Sequence, residues 1–109
     1  MKISQHQKIS VIGAARSGFA VAQLLQRHGA EVFVSDSAPA EKLEQECGYL
    51  TAASIPFETG SHSERVYECS LLVISPGVPS DAPVVKEALR RKIPVVSELE
   101  VASWFCKAP

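Results

Sequence analysis

The stretch from residue 8 to residue 28 constrains this chain most. Lys8-Ile9-Ser10-Val11-Ile12 is a short β-branched run that stops at Gly13, the mark of a buried strand. From Ser17 to His28 the apolar spacing becomes helical: Ala20, Leu24 and His28 share one stripe, with Val21 and Leu25 beside it. Gly29 stands where a helix-ending glycine belongs. Glu31-Val32-Phe33-Val34-Ser35-Asp36 then reads as a second strand. Two strands joined through a helix lie parallel, and the crossover is right-handed.

The alternation continues. Pro39-Ala40-Glu41 opens a short acidic helix that fades near Cys47-Gly48. Ile55-Pro56-Phe57-Glu58-Thr59 is a weak strand whose proline suits a strand start or a sheet edge. Residues 63–69 supply one helical turn or two. Leu71-Leu72-Val73-Ile74 is the unbroken apolar run of a parallel strand covered on both faces. After Ser75-Pro76-Gly77-Val78-Pro79, Asp81 is placed to cap a helix with Pro83 in its first turn. Val84, Val85, Ala88 and Leu89 face the core, and Arg90, Arg91 and Lys92 sit at the cation-favouring end. Ile93-Pro94-Val95-Val96 is the last strand. Ser97 and Glu100 match a capping box that opens a final helix carrying Leu99, Ala102 and Phe105. The pattern predicts an α/β fold, a doubly wound sheet of about five mainly parallel strands with helices on both faces. No repeat or linker interrupts residues 1–109, so one domain is expected.

Composition excludes several classes. At 109 residues and 46% hydrophobic content the chain suits one globular domain and not a disordered one. Eleven basic against twelve acidic residues leave a net charge of −1, without the basic excess that a nucleic-acid platform needs. No apolar run approaches the roughly 18 residues of a spanning helix, and the polar start lacks a signal-peptide core. A cytoplasmic protein is expected, with neither nucleic-acid nor membrane partner. Cys47, Cys69 and Cys106 are odd in number and far apart, which predicts reduced thiols. They and the scattered His6, His28 and His62 offer no metal-ligand spacing, so no metal site is expected.

In a doubly wound sheet, ligands bind beyond the C-terminal strand ends, where the strand order switches direction. Three loops are expected there: residues 13–18, 36–39 and 75–79. The first, Gly13-Ala14-Ala15-Arg16-Ser17-Gly18, is a G-x-G-x-x-G pattern with Ala15 at the middle glycine. Gly13 allows the tight turn and Gly18 a close helix–sheet approach. Free amides near Arg16 and Ser17 face an anion at the helix N-terminus. Arg16 is placed either to neutralise phosphate or to lie in solvent. Asp36 suits ribose hydroxyls, or a turn within Ser35-Asp36-Ser37. In the third loop two prolines stiffen the backbone, and Gly77 permits a conformation or a close approach that a side chain blocks. Glu98 is expected in solvent and Glu100 in a cap, so neither is expected to be catalytic. The series Glu41, Glu44, Glu46 reads as a solvated face.

Together these segments resemble the N-terminal domain of the Mur ligase family. The likeness rests on VIGAARSGFAVAQLLQRHGAEVFVSDS, on Gly60-Ser61-His62, on VISPGVPSDAPVV and on IPVVSELEVA, in that order. It runs from about Lys8 to Pro109 and implies a Rossmann-like fold. It is strongest toward the branch that adds D-glutamate to UDP-N-acetylmuramoyl-L-alanine. The family activates a UDP-muramoyl-peptide carboxyl with ATP as an acyl phosphate, which the amino acid's amine then attacks, in cytoplasmic peptidoglycan precursor synthesis. The resemblance implies that the N-terminal domain holds the UDP part of the substrate and carries no cofactor. ATP and magnesium belong to a central domain, and the amino acid to a third. By position in the motif, Arg16 and Ser17 lie at the diphosphate, with Gly13, Ala15 and Gly18 expected in the same UDP site. Asp36 and Ser37 lie at the uracil and ribose. Gly77 approaches the diphosphate or sugar from the other side, with Ser75 and Pro76 expected in the same UDP site. Ala15 departs from the glycine of many members, and Ala38 from the basic residue of some. No G-x-x-x-x-G-K-[ST] occurs in these residues. The expectation is therefore a domain of a longer ligase, inactive alone, whose other domains are its partners in cis. The alternative is an NAD(P)-binding Rossmann domain of an oxidoreductase, which the same fold and Asp36 would serve. A third reading is a fold-only interaction domain with an empty crevice.

Overall fold

The structure, a computed structural model, describes residues 3–14 and 16–105, leaving aside the Arg16 side chain. Five strands carry the fold: β1 (Lys8–Ile12), β2 (Glu31–Asp36), β3 (Phe57–Thr59), β4 (Leu71–Ile74) and β5 (Val95–Ser97). The helices are α1 (Arg16–Arg27), α2 (Glu44–Ala52), α3 (Pro83–Arg90) and α4 (Glu98–Phe105), with 3-10 turns at Ala40–Lys42 and Glu64–Tyr67. The sheet order is β3-β2-β1-β4-β5, and all four pairings are parallel.

Central β1 explains the order. Its side chains alternate between two cores, as a period of two requires. Ile9 and Val11 join Val34, Val73, Leu25 and Val101 on the face covered by α1, α2 and α4. Ile12 joins Phe33, Leu72, Val66, Val84 and Ala88 on the face covered by α3. Ser10, also buried, donates its hydroxyl to the Val66 carbonyl at 2.7 Å, so the polar atom is satisfied. The chain adds β2 and β3 on one side of β1, then crosses over to add β4 and β5 on the other. The loops after β1 and β4 therefore leave a switch point between neighbouring strands.

Several sequence expectations shift here. In α1 the buried stripe is Gly18, Val21, Ala22 and Leu25, while Ala20 and His28 are exposed. Gly29 does end the helix region, with φ +94°. The acidic helix does not fade at Gly48. It runs to Ala52, because Leu50 is fully buried and its packing outweighs the glycine's low helix propensity. The capping residue of α3 is Ala82 and not Asp81, and no side chain closes that cap. Leu89 is 56% exposed, at the margin of the stripe formed by Val84, Val85 and Ala88. In α4 the Ser97 hydroxyl accepts from the Glu100 amide at 3.1 Å, one half of the expected box. The inward positions of α4, however, are Glu98 and Val101; Leu99 is 79% exposed and Ala102 is exposed. Cys47 and Cys69 are free thiols, half-buried. Cys106 lies outside the described residues. Among the described residues no helix is long and apolar enough to cross a membrane.

Candidate functional site

The C-terminal strand ends build a cleft of about 550 Å³, lined among others by Gly13, Asp36, Ser37, His62, Ser75 and Gly77. Each wall has a local cause. Gly13 turns the chain out of β1 at φ +113°, a conformation open to glycine, and its amide donates to the Ser35 carbonyl at 2.8 Å. A Cβ at Gly13 would collide with the Ser75 hydroxyl, so the first and third loops touch. A Cβ at Gly18 would strike the Gly13 carbonyl oxygen. That close approach seats the first turn of α1 directly on the glycine loop, with Ser17 exposed beside it.

Asp36 fastens two loops at once. One carboxylate oxygen accepts the Ala14 amide at 2.8 Å, and the other accepts the Ala38 amide at 2.9 Å. The turn role and a ligand role do not compete, because each oxygen retains a second lone pair. In the third loop the Ser75 amide donates to the Ile12 carbonyl at 3.2 Å, and Val78 closes a turn onto the Ser75 carbonyl at 3.0 Å. Pro76 and Gly77 are the central residues of that turn, both exposed. Gly77 is not in the left-handed region, and a Cβ there would meet nothing within 4 Å. Neither this chain's backbone conformation nor its packing requires a glycine at that point; its bare Cα faces the cleft.

Of the ten residues expected at the site, Gly13, Asp36, Ser37, Ser75 and Gly77 line the cleft. Ser17 and Gly18 lie in the first turn of α1 and Pro76 is exposed on the third loop, and none of the three lines the cleft. Ala15 and the Arg16 side chain lie outside the described residues. Two side chains were not anticipated. Glu98 is 5% exposed and not solvated, and its Oε2 has no hydrogen-bond partner among the described residues. Burial pushes its carboxyl above the usual range, opposed by the nearby Ser17 hydroxyl. It opens α4 beneath the glycine loop, close to where a Gly18 side chain would be.

His62, which scattered spacing had set aside, lines the cleft. It belongs to a chain of hydrogen bonds through buried Ser35, whose hydroxyl is 2.7 Å from both Glu58 Oε2 and His62 Nδ1. The Ser63 amide donates to the same Glu58 oxygen at 2.8 Å. Burial works to raise the Glu58 carboxyl, but the bonds from Ser63 and Ser35, with His62 nearby, hold it below its ordinary value. For His62, burial lowers the imidazole against the upward pull of Glu58 and Asp36. The findable signal was Gly60-Ser61-His62 directly after an edge strand, which parallel pairing brings to the level of Asp36. Among the described residues no three His, Cys, Asp or Glu side chains gather as a metal site.

A five-stranded parallel sheet, a glycine turn pressed under a helix N-terminus and a cleft at the switch point define a Rossmann-like α/β domain. The family model for the MurD N-terminal domain matches residues 8–84. The chain belongs to that family. It is 52% identical over 102 residues to the UDP-N-acetylmuramoylalanine--D-glutamate ligase of Chlorobaculum parvum, covering 92% of this chain and 21% of the relative. It is 48% identical over 102 residues to that of Chloroherpeton thalassium, covering 94% and 22%. The crystal structure of UDP-N-acetylmuramate-alanine ligase MurC from Thermotoga maritima superposes with a TM-score of 0.70 at 27% identity, covering 87% of this chain and 21% of that one. The chain thus spans about a fifth of the length of the curated relatives it matches.

Proposed function

We propose that this chain holds the UDP part of UDP-N-acetylmuramoyl-L-alanine within a cytoplasmic ATP-dependent ligase that adds D-glutamate to it. The carrying observation is the cleft itself, where Gly13, Asp36, Ser37 and Gly77 meet, in a family whose named relatives perform that ligation. On this reading the diphosphate lies at the α1 N-terminus, where free amides and the helix dipole favour an anion. Arg16 and Ser17 are its nearest side chains. Asp36 and Ser37 face the nucleoside, and the bare backbone at Gly77 allows close approach from the opposite wall. The chain binds and orients. ATP, magnesium and the acyl-transfer chemistry fall to the remaining four-fifths of such a ligase, whose domains complete the cleft in cis.

An amide NMR titration with UDP-N-acetylmuramoyl-L-alanine, UDP and NAD tests this. Shifts clustered at residues 13–18, 36–37 and 75–79 with both uridine ligands, and not with NAD, are expected. A response to NAD alone would replace the proposal with a dinucleotide-binding role.

A further inference from the structure

Resting on that reading of the cleft and deepening it, we propose that His62 reads the base, its Nε2 accepting a hydrogen bond from the uracil N3–H and so selecting uridine over cytidine diphosphates. Ser35 and Glu58 are register partners across β2 and β3, so the sheet itself sets them side by side. The Ser35 hydroxyl lies 2.7 Å from Glu58 Oε2 and 2.7 Å from His62 Nδ1. A hydroxyl has one proton, and an ionised carboxylate can only accept. Ser35 therefore donates to Glu58, and must accept from His62 Nδ1–H. In the neutral ring the proton is then fixed on Nδ1, and Nε2 is a bare acceptor. Nε2 has no described protein partner, and the residue lines the cleft beside Asp36 and Ser37.

The groups that bear on the ring are Glu58 from β3 and Asp36 from the end of β2. Both favour the imidazolium, but burial outweighs them and keeps the ring neutral near pH 7. An imide N–H complements such an acceptor. Cytosine presents a lone pair at the same ring position, so acceptor would face acceptor. A proton on Nε2 at low pH turns the acceptor into a donor and reverses the match.

The test measures UDP, CDP and 2′-deoxy-UDP affinities by calorimetry at about pH 8 and at a pH far enough below the depressed value of the imidazole for its nitrogen-15 shifts to show a charged ring. It uses the wild type, His62→Leu and His62→Gln. At the higher pH the wild type is expected to prefer UDP over CDP about tenfold, the worth of one neutral hydrogen bond. The preference shrinks at the lower pH, vanishes at both in His62→Leu, and is partly kept by the acceptor oxygen of His62→Gln. Nitrogen-15 shifts of the free protein should place the proton on Nδ1. UDP binding with the same preference in His62→Leu, a preference unmoved by pH, or a proton on Nε2 would overturn the proposal alone. A His62 effect on UDP affinity that disappears with 2′-deoxy-UDP would move the contact to the ribose and overturn the base assignment. Failure of every nucleotide to bind the wild type would overturn the reading of the cleft and this inference with it.

Discussion

Two glycines of the cleft make opposite demands on the residue that replaces them. Gly18→Ala forces a methyl into the Gly13 carbonyl, which is backbone and cannot swing away. Overpacking of this kind costs about 1–3 kcal/mol, readable as a lower urea midpoint. Gly77→Ala meets open space and an ordinary φ. Its stability should stay within about 0.5 kcal/mol of wild type, while UDP affinity falls several-fold. Equal UDP affinity in the folded variant would show that no ligand passes against that Cα. The role of Gly18 was legible in the spacing of residues 13–18, because a turn that feeds a helix leaves few alternatives. The glycine at 77 was legible as a choice but not in its reason. Only in the folded chain is it plain that neither strain nor internal contact requires it.

The junction of β5 with α4 carries a pH signature. The Glu98 carboxyl is raised by burial above its unfolded value, so the fold retains its proton more tightly than the unfolded chain does. Its stability contribution is complete below the ordinary carboxylate range and is lost as pH rises through the raised value. Glu98→Gln keeps the shape and removes that loss. The variant should melt higher than wild type at about pH 8 and together with it at about pH 4. Parallel melting curves at both would mean that Glu98 is ionised and solvated. This element also shows why a helix face can be misread. The inward position next to Val101 is occupied by a carboxylate, so the apolar letters pointed to Leu99, on the far side. Strands β1, β2 and β4 were readable because runs rich in buried apolar residues admit little else. Three-residue β3, half-buried at the sheet edge, gave a weaker signal. The chain Glu58–Ser35–His62 depends on the register of that weak strand, so no local spacing announces it.

At the scale of the molecule, one sheet separates two cores. Leu25 anchors one and Leu72 the other, both fully buried. Either one truncated to alanine should cost about 2–5 kcal/mol. A domain of this size holds only about 5–15 kcal/mol in total, so the double variant should lose most or all of its cooperative unfolding transition in calorimetry. The alternation of strand and helix made the architecture legible, and the direction of the crossover after β3 is what opens the cleft at the switch point. That crossover also sets a timetable. β1 is the first strand to leave the ribosome, yet one of its two neighbours, β4, follows only after α1, β2, α2 and β3 have been made. Until then the most apolar strand of the nascent chain has one bare edge, the kind of surface that recruits other strands. The pairing that opens the crevice in the finished protein is thus the one a growing chain must wait longest to protect.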